Sequence, residues 1–214
     1  MTTRRAILSA AALAMMPGVA AAQAPIALPP PRADFGTSLA QALKQRRSIR
    51  EYDPRPLPTQ VLSELLWSAY GVNRPATADR TAPSWRHARE TDIYAAMAGG
   101  VWRYDAIRHV LVPHLASDVR AQTGVQDFVA TAPLNLLYVS NAEHLTGVSR
   151  EEQHRVAAAD TGFIGQNVYL YCASEGLACV FRGSLDGARL ARTLMLDETQ
   201  FIMFSQTVGY PRTA

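Results

Sequence analysis

Residues 149–177, SREEQHRVAAADTGFIGQNVYLYCASEGL, decide the architecture. The pattern predicts a helix that starts near Ser149-Arg150-Glu151-Glu152 and runs to Gly176, about 27 residues and about 40 Å long at 1.5 Å per residue. From Val156 to Ala173 it is apolar on most of its circumference, so it is expected to be covered on most sides. One small domain rarely encloses so long a helix, which points to a second subunit over part of it. Gly162 and Gly165, three apart, would let another element approach closely, either from that subunit or from within the same chain.

The elements on either side of this helix are mixed. Ser38 is placed to cap a helix to about Arg46, and Thr59 to cap another that carries Val61, Leu62, Leu65, Leu66, Ala69 and Tyr70 at helical spacing until Gly71. Residues 74–89 read as irregular and polar. Asp92–Met97 reads as a strand, Gly99-Gly100 as a turn, and Val101–Tyr104 with Arg108–Val112 as the return. A short helix is expected at Asp127–Ala130 and a strand buried on both faces at Leu134–Val139. Leu177–Ser184 reads as a strand, Asp186 as the cap of a helix to about Leu196, and Phe201–Val208 as the last strand. No internal repeat is present. Hairpins interspersed with helices indicate an α+β fold rather than a doubly wound parallel sheet.

The chain has 214 residues, 48% of them hydrophobic, enough for one ordinary core. Its 21 basic and 18 acidic residues give a formal +3. Residues 1–24, MTTRRAILSAAALAMMPGVAAAQA, have the basic start, apolar middle and small-residue end of an export signal, with Arg4-Arg5 resembling the twin-arginine type that carries folded proteins. Cleavage after Ala22 is expected, which leaves 19 basic against 18 acidic residues, a formal +1. A near-neutral chain with no basic face is not built for nucleic acid, and the short apolar stretch gives no stable membrane anchor once removed. The expected organisation is a signal over 1–22, a Pro-rich, extended and solvated tether over 23–34, and one domain over 35–214, in a periplasmic protein.

Several chemistries are missing. No G-x-S-x-G, phosphate-loop, G-x-G-x-x-G or H-E-x-x-H motif occurs, and His87, His109, His114, His144 and His154 are scattered, so neither a hydrolase nucleophile nor a metal site is expected. Cys172 and Cys179 read as two buried thiols rather than a disulfide. What is present is an anion site. Arg46, Arg47, Ser48 and Arg50 gather guanidinium forks and a hydroxyl directly after a helix, a combination that suits one phosphate monoester, although a solvated charged loop would look the same.

Arg46-Arg47-Ser48-Ile49-Arg50-Glu51-Tyr52 resembles the R-R-S-x-R-x-F/Y opening of the flavin-binding nitroreductase family. In order along the chain, Leu62 to Gly71, Arg80-Thr81-Ala82-Pro83-Ser84, Asp160 to Leu177 and Val208-Gly209-Tyr210-Pro211 resemble its further motifs, and the likeness is greatest to short exported members grouped with SagB-type dehydrogenases. The resemblance implies a homodimer with a central mixed or antiparallel sheet wrapped by helices, the long helix at the interface, and FMN between the subunits. It implies that Arg46, Arg47, Ser48 and Arg50 hold the phosphate and ribityl chain, with Arg212 as another phosphate-binding cation. Pro83, Ser84, Arg86 and His87 would approach the flavin from the partner subunit, and Phe181, Arg182 and Gly183 would face the isoalloxazine ring. Trp85-Arg86-His87 stands where relatives carry small residues and an amide, which would reshape the ring-side pocket. No side chain is marked as a catalytic acid or base, because the flavin carries the redox chemistry. The implied function is transfer of electrons or hydride through flavin N5 to or from a small organic substrate, such as a nitroaromatic, a quinone or an azoline. A flavin-remodelling enzyme on the same fold, or a binding protein that has lost flavin, are the alternatives.

Overall fold

The structure, a computed structural model, describes residues 23–32 and 34–212. The proposed signal, residues 1–22, lies outside them. The core is one antiparallel sheet of β1 (Ile26–Ala27), β7 (Val110–Leu115), β6 (Gly100–Asp105), β5 (Thr91–Met97), β8 (Leu134–Asn141) and β10 (Gln200–Pro211) in that spatial order. β9 (Ala178–Arg182) and the short β2 (Tyr52–Asp53) also pair with β10, and β3 (Val72–Arg74) and β4 (Asp79–Arg80) form a separate two-stranded ladder within the stretch read as irregular. All these pairings are antiparallel, so the mixed sheet allowed by the sequence resolves to its antiparallel form.

Alternation along β8 explains its complete burial. Leu134, Leu136 and Tyr138 join the core beneath α2 (Thr59–Tyr70) and α3 (Arg150–Ser174), whereas Leu137 and Val139 pack on the other face with Leu190 and Leu194 at α4 (Gly187–Thr193). The remaining helix is α1 (Leu39–Gln45), capped by Ser38, whose side chain accepts from Gln41 N. Thr59 does not cap α2: it is the first helical residue and Pro58 holds the cap position.

α3 has 25 residues. The Ser149 hydroxyl accepts from Glu152 N at 3.2 Å, and Glu151 and Glu152 lie at the positive end of the helix dipole. At the other end Gly176 takes φ +68° and Leu177 N reaches back to Cys172 O at 2.8 Å, a left-handed stop that suits glycine. Within the chain α3 is buried on one face only, through Val156, Ala157, Ile164, Gly165, Val168 and Cys172, and Phe163 is 49% exposed on the other. The two glycines divide. A Cβ on Gly165 would lie 2.6 Å from ring atoms of Phe181, so that close approach is internal, whereas Gly162 has nothing within 4 Å.

The tether reading needs correction. The segment is extended and keeps Ala24, Pro25, Ala27, Pro30 and Arg32 exposed, but it is docked rather than free: Ile26 and Ala27 pair with Leu111 and Val110, and Leu28 is buried. Gln23 Nε2 donates to Gly99 O at 3.2 Å, and Trp102 Nε1 donates to Ala24 O at 3.3 Å. Farther on, Ser63 Oγ donates to Pro29 O, and Arg32 forms a two-point ion pair with Glu64 at 2.6 and 2.8 Å. Proline cannot donate to a ladder, but at a sheet edge its carbonyls still accept, which lets a Pro-rich segment dock.

Candidate cofactor site

The arginine-rich segment after α1 is held from two sides. Ile49 N donates to Cys179 O on β9 at 3.0 Å, and Tyr52 and Asp53 pair with Pro211 and Tyr210 on β10. Arg212 N donates to Glu51 O at 3.2 Å, so the C-terminal arginine is fixed beside Arg50. Together they line a cleft of about 690 Å³ whose other charged residues are Glu51 and Asp127, with Tyr52, Gln126 and Phe128 between them.

Tyr169, on α3, joins three of the expected site residues. Its hydroxyl lies 2.7 Å from Ser48 Oγ and accepts from Phe181 N at 2.9 Å, and the Arg46 guanidinium sits 5.1 Å from its ring centroid. The Phe181 ring, in turn, contacts Tyr138 and Phe204 at centroid distances of 5.7 and 4.9 Å. Sequence reasoning passed over Tyr169 because a tyrosine within a long apolar helix reads as core. Its signal is the spacing: Tyr169 and Gly165 are four apart, on one side of the helix, and both meet Phe181.

Among the described residues, none of Arg46, Arg47, Arg50 and Arg212 has a carboxylate oxygen within 4 Å. Arg89, Arg103, Arg108 and Arg120 around the sheet, by contrast, each have a carboxylate partner. Arg46 and the held Ser48 hydroxyl at Tyr169, beside the Phe181 cluster, and Arg50 with Arg212 at the neighbouring cleft are donor types that suit a cofactor carrying a phosphate and a flat ring, whereas Arg47 lies with Ile49 and Ala173 at a separate small pocket.

Arg182 is placed differently from the expectation. Successive side chains of β9 point to opposite faces, so Phe181 and Arg182 cannot both face one ring. Arg182 is 5% exposed and donates to Thr123 O at 3.0 Å, Gln126 Oε1 at 3.3 Å, Asn135 Oδ1 at 3.2 Å and Thr207 Oγ1 at 2.9 Å. Burial pushes its pKa down to about 10. It ties β9 to β8 and β10 from inside, and Gly183, exposed at the strand's end, is left beside Phe204.

Pro83, Ser84, Arg86 and His87 lie elsewhere in the chain. Trp85 N donates to Asp160 Oδ2 at 2.7 Å, and Asp160 is nine residues before Tyr169, about 14 Å along the helix. Within one chain this loop therefore does not meet the arginine group. Arg86, His87 and Arg89 all have positive φ, at 47°, 58° and 50°, a concentration of left-handed conformations that typically costs about 1–3 kcal/mol each and collects at functional sites. Beneath the loop, burial raises the carboxyls of Glu90 and Asp160 above the ordinary range; the Asp160 charge pushes Glu90 up further, while hydrogen bonds from Trp85 N and from Glu90 partly offset the rise at Asp160.

Residues 43–210 match the nitroreductase family. The chain belongs to that family. A relative from Methanocaldococcus jannaschii, assigned as a nitroreductase, is 31% identical over 175 residues, which cover 77% of this chain and 88% of the relative. The crystal structure of a nitroreductase-type protein of Ralstonia eutropha superposes with a TM-score of 0.86 at 41% identity and covers 92% of this chain and 94% of its own. An NADPH:FMN oxidoreductase from Vibrio harveyi shares the fold at a TM-score of 0.59 and 18% identity, with 82% and 69% of the two chains covered. The nitroreductase fold is thus the α+β arrangement expected from the sequence, with a curled antiparallel sheet and, among the described residues, four α-helices of which α3 is the longest.

Proposed function

We propose that the protein is an exported, homodimeric FMN-dependent oxidoreductase that passes electrons between a small organic donor and acceptor. The observation that carries this reading is the convergence of Arg46, Ser48 and Phe181 on Tyr169, next to arginines with no carboxylate partner. FMN, when bound, supplies the redox chemistry, and the protein supplies binding, orientation and electrostatics. Arg46, Arg50 and Arg212 hold the phosphate, Ser48 is held in place by Tyr169, and the Phe181–Tyr138–Phe204 cluster gives the ring an apolar neighbour. The shared fold with an FMN oxidoreductase supports this cofactor.

Dimerisation is supported by apolar surface: Leu39 and Leu43 on α1 are 65% and 53% exposed, and Phe163 and the open Gly162 lie on the uncovered face of α3. A partner packed there would bring the Pro83–His87 loop to the other subunit's arginine group. Export is supported by the signal grammar of residues 1–22, and among the described residues no helix is long and apolar enough to cross a membrane. Because nicotinamide donors are scarce outside the cytoplasm, an organic substrate of the nitroaromatic, quinone or azoline class is the expected redox partner. A turnover screen over those three classes tests this, paired with flavin analysis of Arg46→Ala and Ser48→Ala, which should release the cofactor. Full flavin retention in both variants would show that the phosphate site lies elsewhere.

A further inference from the structure

Glu90 and Asp160, at 1% and 4% exposure, face each other beneath the Trp85–Arg89 loop. Among the described residues no arginine, lysine or histidine nitrogen lies within 4 Å of either carboxyl. Their surroundings differ. Asp160 Oδ2, on α3, accepts from Trp85 N at 2.7 Å, which favours its charged form. Glu90, just before β5, has Oε1 on the Thr91 hydroxyl at 2.8 Å, but its Oε2 is buried with no donor facing it. An oxygen so placed is costly as a bare acceptor and is satisfied if it carries a proton and donates. Asp160 is within hydrogen-bond reach to receive that proton's bond. The other ionisable groups nearby do not neutralise the pair. Tyr70, at the end of α2, is pushed up to about 12 by burial and stays uncharged, and Arg80 on β4 sits against its ring at 5.5 Å. Arg89 and His87 turn to Asp79 at 3.0 and 3.6 Å, and His144, in the turn after β8, lies 3.4 Å from Arg89 O.

We propose that Glu90 and Asp160 share one proton and form a latch that positions the Trp85–Arg89 loop. Glu90 Oε2–H donates to the Asp160 carboxylate, which also holds Trp85 N, so the pair carries a single negative charge and Oε2 is no longer an unpaired acceptor. When the proton leaves to bulk water, two buried carboxylates repel each other and both need solvation. Glu90 cannot move out to reach it, because Asn141 N donates to its carbonyl at 2.8 Å and Thr91 is paired with Ser140. Asp160 is fixed within α3. The cover is the loop, and the left-handed conformations of Arg86, His87 and Arg89 favour its release. Loss of the proton therefore lifts Trp85 off Asp160. Because the Glu90 carboxyl is raised, the latch is closed on the acid side of its ionisation and opens as pH rises through it. On the reading that this loop serves the other subunit's arginine group, the pair is a positioning device for the cofactor-facing wall.

Nuclear magnetic resonance of the purified protein, following the Glu90 carboxyl and the Trp85 amide between about pH 4 and 8.5, tests the latch. Glu90 should ionise well above the ordinary glutamate value of about 4.3, and the Trp85 amide proton should shift upfield in the same step. Glu90→Gln, whose amide donates to Asp160 and has no such proton to lose, should keep Trp85 at its acid position throughout. Asp160→Asn keeps an acceptor for Trp85 and offers an N–H to Glu90, so it should also remove the step, and it guards against a folding defect in the first variant. Histidine changes charge between about pH 5 and 8, so His87→Gln and His144→Gln are the controls, and the step should survive in both. Glu90 ionising at the ordinary value, no Trp85 step in wild type, a step that persists in Glu90→Gln, or a step lost with either histidine would each overturn the latch. Relative to Glu90→Gln, flavin-stripped wild type should bind FMN several-fold more weakly above the step than below it, and an unchanged ratio would overturn the positioning role. Failure to bind FMN at any pH would instead refute the cofactor reading, with the Trp85 step still deciding the latch.

Discussion

Tyr169→Phe separates the hydroxyl from the ring at the point where three site residues meet. The ring stays, so Arg46 keeps its aromatic neighbour, and what disappears is the acceptor of Phe181 N and the partner of Ser48 Oγ. Phe181 pairs with Gln206 on β10, but its N–H points to α3, so no ladder carbonyl replaces the lost acceptor. A half-buried N–H without a partner costs about 1–3 kcal/mol, and the more exposed Ser48 contact adds roughly half a kcal/mol. A total near 2 kcal/mol corresponds to a melting temperature about 4–8 °C lower for a domain of this size. Release of Ser48 should also weaken FMN about tenfold, equivalent to about 1.4 kcal/mol. Differential scanning calorimetry and a fluorescence titration of the apoprotein with FMN measure the two effects. A variant with wild-type melting temperature and wild-type FMN affinity would refute the argument. A lowered melting temperature with unchanged FMN affinity would reduce Tyr169 to a structural strut.

Gly165→Ala puts a methyl 2.6 Å from the Phe181 ring and should lower the melting temperature by the equivalent of about 1–3 kcal/mol, whereas Gly162→Ala, with open space around it, should not destabilise the chain; equal effects would mean that α3 is placed wrongly. Glu64 is buried, and hydrogen bonds from Arg32 hold its carboxyl down at about 2. A carboxylate held low stabilises the fold above its unfolded pKa and loses that contribution as pH falls from about 4.5 towards 2. Arg32→Ala should therefore melt several degrees lower at neutral pH, with the gap narrowing in acid; a gap that widens in acid would contradict the ion pair. Glu90 has the opposite sign. Its carboxyl is raised by burial, so the native state loses stability as pH climbs above the ordinary glutamate range, and Glu90→Gln should gain on wild type in melts at pH 8 relative to pH 5. No change in that difference would place the Glu90 proton elsewhere.

The helices and most of the sheet were legible because each leaves a local signature. Ser149 with its acidic first turn, Gly176, and the alternation in Leu134–Val139 require nothing beyond their own neighbours. The docking of Pro25–Arg32 was not legible, since an edge strand of two residues and an ion pair to Glu64 depend on partners far along the chain. The same holds for the site. Arg46, Ser48 and Arg50 stand together in sequence, but Tyr169 enters only through the packing of α3 on β9. Arg182 misleads for a related reason: an arginine beside a site motif reads as a ligand group, and only strand parity and the donors required by Thr123, Asn135 and Thr207 turn it inward.

Flavin content tests the central claim most directly. Purified protein should be yellow, with the absorbance bands of a flavin, and on denaturation should release one FMN per chain, identified by its phosphate against riboflavin and FAD. Colourless protein that also fails to take up added FMN would contradict the account.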